Sequence, residues 1–439
     1  MNTKQIRQTI LDLAIRGELV PQDPTDEPAS MLLERIRAEK EQLIKDKKLK
    51  REKKDSQPID EAPFELPEGW VWCRLGDLLI NRDGERKPLS SSVRSKQIKK
   101  KYDYYGATGV IDKVDNYIFD EKLLLVGEDG ANLLSKVKPN AFFAEGKYWV
   151  NNHAHILDAT NKNLLDYVII VINTISLDNY ITGTAQPKLS QENLNKIPIP
   201  LPPLAEQYRI LQKVEQLLTI VDAIEQLQEQ LKALVKQTKN QVLNYAIAGK
   251  LTLQDPNDEP AEELLKRIGK TTTTATDTPY EKLPKGWACT QLQVLCQLLD
   301  GEKKEAVSLP YLDVAFLRGR TESNYKESGR YIPKNTHLIL VDGENSGEIF
   351  TTTTEGYQGS TLKILNISKE INEQYLFYVL KKEQQLFKES KTGSAIPHLN
   401  KKLFKELKVL LPPLAEQHRI VQKIESFFAS FDQIEKELA

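Results

Sequence analysis

The longest regular pattern of apolar positions follows the proline pair at 202–203. Apolar residues recur at alternating steps of three and four, with one phase slip, at Ile210, Val214, Leu217, Val221, Ile224, Leu227, Leu231 and Leu234. This spacing places them along one helix face and is typical of coiled-coil packing. Proline suits a first helical turn and Gly249 suits a helix end. The pattern predicts about 40 helical residues, roughly 60 Å long.

The same periodicity occurs at both ends of the chain. It runs through Ile420, Ile424, Phe427, Phe431, Ile434 and Leu438, and continues through Ile6, Ile10 and Leu13. We expect the mid-chain helix to pack antiparallel against a composite helix assembled from the two termini. The candidate core and partner-docking positions are Leu204, Ile210, Val214, Leu217, Val221, Leu414, Ile420, Ile424 and Phe427.

Between the helical regions lie two segments with short β-rich runs separated by Gly, Asp and Asn turns. The pattern predicts an α+β fold in which two α/β globular heads are separated by an antiparallel pair of long coiled-coil helices. The predicted regions are an N-terminal helical segment at residues 1–36, a charged linker at 37–59, a first head at 60–200, a central helical region at 201–268, a linker at 269–280, a second head at 281–410 and a C-terminal helical segment at 411–439.

The chain repeats itself in circular order. Residues 14–36 and 246–268 are identical at 15 of 23 positions, and residues 201–217 and 411–427 at 12 of 17. A weaker match pairs 127–130 with 343–347. By these offsets the C-terminus ends where the N-terminal copy begins, so two half-repeats close head to tail. This predicts a pseudo-two-fold molecule with neighbouring termini and two equivalent helical arms.

Composition narrows the class of protein. The net charge is −1 with 28% charged residues, so only local basic patches bear on phosphate binding. The three cysteines form no CxxC pair, which argues against a zinc site or a disulfide framework and fits a reducing cytoplasm. No apolar run approaches the ~20 residues of a membrane span. We therefore expect a cytoplasmic protein with no metal and no membrane contact.

Two LPPLAEQ segments, 201–207 and 411–417, and two GxLxxQDPxDEPA segments, starting at Gly17 and Gly249, carry a family resemblance. Together with the LPxGW segments at 66–70 and 283–287 and GTAQPKL at 183–189, they resemble the specificity subunits of prokaryotic type I restriction-modification systems. The resemblance covers nearly the whole chain and includes the circular order of its regions.

The resemblance implies two target-recognition domains, each reading one half of a bipartite site in double-stranded DNA. It also implies that the helices space the heads and bind two methyltransferase subunits, which motor-nuclease subunits then join. S-adenosylmethionine, Mg²⁺ and ATP are expected in those partners, and no cofactor in this chain. In the second head 393–399 replaces GTAQPKL, so the two heads are expected to read different half-sites.

Candidate DNA contacts in the first head lie in a basic segment, in the tyrosines that follow it and in the GTAQPKL segment. Lysines pair with phosphates, tyrosines pack on sugars or bases, and Gln and Lys suit base edges. These candidates are Arg94, Lys96, Lys99, Lys100, Lys101, Tyr104, Tyr105, Gln186 and Lys188. Those of the second head are Arg318, Arg320, Arg330, Lys391, Ser394 and His398. The alternatives are a solvated loop and a structural turn.

The sequence lacks the catalytic motifs of a methyltransferase and of a nucleotide-hydrolysing motor. Both double prolines are flanked by leucines and lack the polar and aromatic partners of an adenine-methyltransferase motif, and no GxxxxGK[ST] occurs. Asp129, Glu145 and Lys147 could suit a metal-dependent nuclease, but the aligned second copy has Asn345 in place of the aspartate. We therefore expect no catalysis by this chain. A fused restriction-methylation enzyme and a coiled-coil adaptor remain as alternatives.

Overall fold

A computed structural model describes residues 2–49, 59, 62–183, 185–269, 283–322, 324–393 and 397–438. The chain divides into two compact units, Asn2–Leu227 and 228–438. The division lies inside the predicted central helical region, because one long helix begins in the first unit and ends in the second.

The first unit consists of helices that flank a mixed head. Its elements in chain order are α1 Thr3–Arg16, α2 Ala29–Lys45, β1 Val71–Arg74, α3 Leu75–Leu78, β2 Ile80–Asn81, α4 Ser91–Ser95, β3 Tyr102–Gly106, β4 Gly109–Val114, β5 Phe119–Asp120, β6 Leu123–Gly127, α5 Asn132–Ser135, β7 Ala141–Ala144, β8 Lys147–Val150, β9 Ala154–Asp158, α6 Asn163–Thr174, β10 Ile181–Thr182, β11 Lys188–Leu189, α7 Gln191–Lys196, β12 Pro198–Leu201 and the start of α8 Leu204–Ile247.

The first head contains two four-stranded sheets, ordered β2-β9-β6-β7 and β4-β3-β8-β5. Every residue of β6 is buried, as expected for an apolar strand in the middle of a head. The antiparallel pair β1–β12 brings Val71 opposite Leu201, so the head starts and ends at the same place on the helices. The short hairpin β10–β11 forms a separate two-stranded ribbon.

The second unit also consists of helices that flank a mixed head, but the strands of its head are arranged differently. After the rest of α8 its elements are α9 Ala261–Arg267, β13 Ala288–Gln291, α10 Leu292–Leu295, β14 Cys296–Leu299, β15 Glu302–Leu312, α11 Val314–Leu317, β16 Tyr325–Ile332, β17 His337–Leu340, β18 Ile349–Thr351, β19 Gly356–Gln358, β20 Leu362–Ile367, α12 Glu373–Glu389, α13 Lys401–Glu406, β21 Lys408–Leu411 and α14 Leu414–Leu438.

The second head keeps one four-stranded sheet, β14-β20-β17-β18, and the closing pair β13–β21. In place of the first head's second sheet, β15, β16 and β19 close into a small barrel. The predicted α+β fold with two α/β heads is confirmed. No helix in the described ranges combines the length and the apolar character needed to cross a membrane.

Each unit packs its own portion of α8 against another helix in an antiparallel arrangement. In the first unit Arg7 of α1 forms ion pairs with Asp222 and Glu225, whereas Asp26, later in the chain, pairs with Arg209 at 2.5 Å. The second unit repeats these contacts at the positions that the sequence repeat predicts. Their partners are Lys239 with Asp432 and Glu435, and Asp258 with Arg419. The circular repeat is therefore also a repeat of interactions.

A buried glutamate joins head and helix in each unit. The Trp70 Nε1–H donates to Glu206 Oε2 at 3.0 Å, and Gln22 Nε2 donates to Oε1 at 3.1 Å. In the second unit Trp287 and Gln254 make the same contacts with Glu416, at 2.8 and 3.0 Å. Burial raises the pKa of Glu206, against the lowering effect of its hydrogen bonds with Gln22 and Trp70.

The repeated glycines explain the GxLxxQDP motif. Gly17 ends α1 with a φ of 73°, and a Cβ there would lie 2.5 Å from Pro67 Cγ and 3.0 Å from the Trp70 ring. Gly249 has a φ of 66° and meets Pro284 and Trp287 in the same way. Both positions need glycine, because the left-handed turn and the close approach of the LPxGW segment exclude a side chain.

We expect Trp70→Phe to lower the free energy of unfolding by about 1–3 kcal/mol, because a buried carboxylate loses a donor. Denaturant unfolding of the purified chain measures this. Trp72→Phe is the matched control, since the half-buried Trp72 contacts Phe64 through its ring. Equal stability of the Trp70 and Trp72 variants would contradict the role assigned to the Trp70–Glu206 bond.

The predicted ends of the long helix are confirmed, but the prediction of one continuous buried apolar face along it is wrong. Leu227, Leu231 and Leu234 are 62%, 37% and 56% exposed. The buried positions of the second half are instead Val235, Val242, Leu243, Ala246 and Ile247. The helix changes its buried face because each half follows its own copy of the repeat. Ile10, Ala14 and Ile15 are the buried counterparts in α1.

The candidate core positions separate into two groups. Five are buried within their own units, so they are core and not available for docking partners: Ile210, Val214, Val221, Ile420 and Ile424. Four are partly buried: Leu204, Leu217, Leu414 and Phe427. The composite helix from the two termini stays a prediction.

Candidate nucleic-acid interface

The basic segment 94–101 begins in α4 and leads into β3. Arg94 at its start is engaged inside the head, and its contact with DNA stays a prediction. Its Nε donates to Asp112 Oδ2 at 2.9 Å, and its guanidinium lies 4.7 Å from the centre of the Tyr104 ring. Arg94 therefore fastens α4 to strand β4 and to the head's interior.

The tyrosines that follow belong to the head's core. Tyr104 is 1% exposed, and its hydroxyl accepts the Leu89 N–H at 2.9 Å, so it cannot stack on DNA. Tyr105 is half-buried against Phe142 and Tyr148, and burial raises its pKa. Strand alternation explains the burial of Tyr104 but not that of Tyr105, because consecutive side chains of β3 lie on opposite faces. The pairing of β3 with β4 is irregular between these two residues, and the rings of Phe142 and Tyr148 cover Tyr105.

Three lysines of the segment remain exposed: Lys96, Lys99 and Lys101. Among the described residues no carboxylate pairs with them. Lys100 differs, because its Nζ lies 3.1 Å from Asp112 Oδ1. The Lys113 backbone N–H, Lys100 and Arg94 together lower the pKa of Asp112 to about 2. The solvent-facing charge of this loop is therefore carried by the three unpaired lysines.

The second candidate surface is the loop of the β10–β11 hairpin. Gln186 is exposed, and Lys188 Nζ lies 3.3 Å from Glu128 Oε1 with its side chain 55% exposed. The hairpin rests on the turn after β6, because Leu189 N–H donates to Glu128 O and Gly130 N–H to Pro187 O. These two backbone hydrogen bonds fix the base of the hairpin to the rest of the head.

The second head presents a matching hairpin. Thr392 and His398 exchange backbone hydrogen bonds of 3.0 and 2.8 Å, and Gly343 N–H donates to Pro397 O. His398 occupies the place of Lys188, and its Nδ1 lies 2.7 Å from Asp342 Oδ1. Lys391 Nζ bonds the Glu344 carbonyl at 2.6 Å. Ser394 lies outside the described residues.

The arginine candidates of the second head are mostly engaged. Arg318 pairs with Glu348, and Arg330 Nη1 lies 2.8 Å from Asp300 Oδ1. Arg320 is exposed, and within the described regions of the chain no acid pairs with it. Arg318 therefore has a structural partner within the head, and DNA contact by Arg318, Arg320 and the half-exposed Arg330 stays a prediction.

The two hairpins also correct the alignment of the heads. Gly130 N–H donates to Pro187 O as Gly343 N–H does to Pro397 O, so Asp129 corresponds to Asp342 and not to Asn345. The second copy therefore keeps the acid, and the prediction that it is lost was wrong. Pairing of 127–130 with 343–347 failed because the match was short and rich in turn residues.

Asp129 and Glu145, the two acids of the nuclease-like set, nevertheless do not come together in the first head. Strands β6 and β7 are antiparallel, with Leu123 opposite Ala144, so Asp129 and Glu145 follow opposite ends of the pair. At about 3.3 Å per residue they are roughly 20 Å apart along the strands. Asp129 Oδ2 instead accepts a hydrogen bond from His153 Nδ1 at 2.7 Å.

A buried polar cluster beneath the first hairpin was not predicted. The side-chain oxygen and nitrogen atoms of Asp83, Glu128 and His155 that could bind a metal ion lie within 4.8 Å of one another. The Arg86 guanidinium pairs with two members of this group, 3.3 Å from Asp83 and 2.6 Å from Glu128. A cationic side chain thus already supplies the charge that a metal ion would bring. The alternation of His153 and His155 in the sequence was the available signal.

In the second head, different residues occupy the positions that correspond to Asp83 and His155. The strand registers, Val126 opposite His155 and Ile339 opposite Lys363, put Lys363 at the position of His155. Lys363 Nζ bonds Asp300 Oδ2 at 2.6 Å, and Asp300 corresponds to Asp83. Each head thus holds a strand-end aspartate bonded to a side-chain nitrogen from the neighbouring strand.

Comparisons with known proteins agree with this duplicated plan. The model of the type I restriction modification DNA specificity domain matches residues 67–233 and again 286–439. The EcoEI specificity subunit of Escherichia coli is 27% identical over 99% of this chain and 90% of its own length. The EcoAI specificity subunit of the same species is 27% identical over 98% and 90%.

The fold also has a solved counterpart. A structure from work on complex assembly and conformational transition of the type I R-M system is 16% identical, with a TM-score of 0.52. It covers 86% of this chain and 94% of its own chain. At this identity the likeness shows a shared fold.

Proposed function

Because this chain belongs to the type I restriction-modification DNA specificity family, we propose that it is the sequence-reading subunit of such a complex and that each head reads one half of an asymmetric bipartite target. The curated relatives are named specificity subunits, which favours DNA recognition over a fused enzyme or an adaptor. In this function the chain selects the DNA site and other subunits act on it.

The single observation that carries the two-half-site proposal is the pair of equivalent hairpins with unlike loops. Both rest on the turn after a central strand through the same backbone bonds, yet Lys188 in one corresponds to His398 in the other. The two hairpins are thus anchored alike, and different side chains would present different hydrogen-bond patterns to base edges in the major groove. An asymmetric target follows.

The helices supply the other half of the proposal. The 44-residue α8 is long enough, at about 66 Å, to separate two reading heads along a duplex. We propose that exposed faces of α1, α8 and α14 bind two methyltransferase subunits and that motor subunits join them. S-adenosylmethionine, Mg²⁺ and ATP would act in those cytoplasmic partners, whose basic surfaces would complement this chain's net charge of −1.

Mapping of methylated adenines tests the proposed function. We expect a host without adenine methylation, given this chain and its cognate modification subunit, to acquire methylation at one bipartite, asymmetric motif. The modification subunit alone is the control and should leave no motif. Methylation without a sequence motif, or a motif that is the same with and without this chain, would overturn the proposal.

A further inference from the structure

His155 of β9 is buried between two hydrogen-bond acceptors. Its Nδ1 lies 2.6 Å from Asp83 Oδ2, its Nε2 lies 2.8 Å from the carbonyl oxygen of Leu189, and the side chain is 1% exposed. Neither a carboxylate nor a carbonyl oxygen can donate. The ring can therefore satisfy both neighbours only by donating from both nitrogens.

Both ring nitrogens are therefore committed to these two acceptors. The surroundings fix the acceptor at Nδ1. Asp83 is kept ionised because its other oxygen accepts the Ile156 N–H at 2.8 Å and Arg86 lies 3.3 Å away. Burial opposes ionisation, but the hydrogen bond from His155 keeps the pKa of Asp83 below its usual value. Glu128, 4.0 Å from Nδ1, adds a second negative charge.

The Leu189 carbonyl belongs to the first head's hairpin, whose loop is proposed to face DNA. Leu189 lies in β11, and its N–H is held by Glu128 O while its carbonyl is held by His155. Lys188 precedes it directly, and Gln186 lies two residues further into the loop. Both backbone groups at the root of the loop are thus fastened to the turn after β6 and to β9.

We propose that His155, oriented by Asp83, is a positioning residue for DNA reading by the first head. Its hydrogen bond to Leu189 sets where Gln186 and Lys188 stand relative to a base edge. This inference rests on the proposed function and adds to it a residue that acts through the hairpin without touching DNA.

The second head shows that the hairpin bond is not merely a feature of the fold. There Lys363 replaces His155 and bonds Asp300 at 2.6 Å. In the described residues of that head its Nζ makes no bond to Leu399, the counterpart of Leu189. The hydrogen bond with the aspartate is common to both heads, whereas the bond to the hairpin carbonyl is specific to the first.

Two substitutions separate these contacts. Asn Nδ2 stands near the position of the ring's Nδ1, so His155→Asn keeps a donor for Asp83 and loses the one for Leu189. Gln Nε2 stands near the ring's Nε2, so His155→Gln keeps the donor for Leu189 and loses the one for Asp83. Both remove the ring from the same buried place, so a purely structural role would make them alike.

The readout is the methylation motif of the full complex in a host without adenine methylation. We expect His155→Asn to lower discrimination against single mismatches in one half-site by about tenfold, the size of one buried hydrogen bond. Discrimination in the other half-site should be unchanged. His155→Gln should stay within about twofold of wild type at both half-sites. Thermal unfolding of the two variants should agree.

Other results of these measurements would overturn the inference. Equal discrimination by the Asn and Gln variants, or relaxation of both half-sites together, overturns the inference. If the Asn variant does not fold, Asp83→Asn replaces it, because it removes the charge that orients the ring, and it should relax the same half-site. An unchanged half-site in that variant also overturns the inference. Absence of any bipartite motif with the wild-type chain would instead overturn the proposed function.

Discussion

Charge reversal at Lys96, Lys99 and Lys101 is expected to remove sequence-specific DNA binding by the assembled complex. These lysines lie within six residues, face solvent, and in the described structure are not paired with a carboxylate. Each lysine that neutralises a phosphate contributes about one to the slope of log K against log salt. The triple Glu variant should therefore bind with a slope shallower by about three and lose roughly a hundredfold or more in affinity at physiological salt.

The matched control reverses three lysines at the end of the first unit's second helix, Lys45, Lys47 and Lys48. They lie in the segment predicted to be a solvated linker, so their reversal changes the net charge equally but should leave the salt slope nearly unchanged. Binding of labelled duplex by the complex at several salt concentrations gives both slopes. Equal losses in the two triple variants would mean that net charge alone, and not the loop 96–101, governs binding.

Lys100 is left out of the triple variant for a structural reason. Its side chain pairs with Asp112, and its backbone N–H donates to Asp115 at 2.6 Å, so its replacement would disturb the loop itself. Assembly with the modification subunit, measured by size-exclusion chromatography, should be unaffected in the triple variant. Loss of assembly would assign these lysines to the partner interface instead of DNA.

Insertion of seven residues in the middle of α8 is expected to lengthen the unread spacer of the target by about three base pairs. Seven helical residues add about 10.5 Å and nearly two full turns, so the faces of the helix keep their orientation. DNA rises about 3.4 Å per base pair. The half-sites themselves should stay the same, because the hairpins that present their candidate contacts lie far along the chain from the insertion.

The structure indicates where the insertion should be placed. Leu227, Leu231 and Leu234 are exposed, so extra residues beside them disturb neither unit's core. The same seven residues inserted in the predicted linker 269–280 serve as the control and should leave the spacer unchanged. The methylation motif reports both results. A constant spacer in the helix variant, with methylation retained, would show that α8 does not set the separation of the half-sites.

Much of the framework could be predicted because it depends on short-range rules and on the repeat. Helix α8 begins after Pro203 and ends before Gly249, where local backbone preference decides. The Trp70–Glu206 and Trp287–Glu416 bonds lie within repeated motifs, so one copy supports the other. The seam through Leu227 and Leu234 was wrong because periodicity along a helix does not say which neighbour covers it.

The site was only partly predictable, because exposure depends on contacts distant in sequence. Lys99 and Tyr104 belong to one basic and aromatic run, yet one faces solvent and the other fills the core. His155 and Asp83 are 72 residues apart and meet only because β2 and β9 are neighbours in one sheet. The spacing of His153 and His155 marks one member of that pair, but nothing local in the sequence marks the pairing itself.

By itself the sequence determined the helical regions, the two heads, their circular order and the family, because periodicity, capping glycines and repeated motifs are local and are present twice. Only the tertiary structure decided which basic residues face solvent unpaired, which head residues correspond, and that His155 fastens the hairpin of the first head. Those properties depend on strand pairing and burial, which bring together side chains that the chain order keeps far apart.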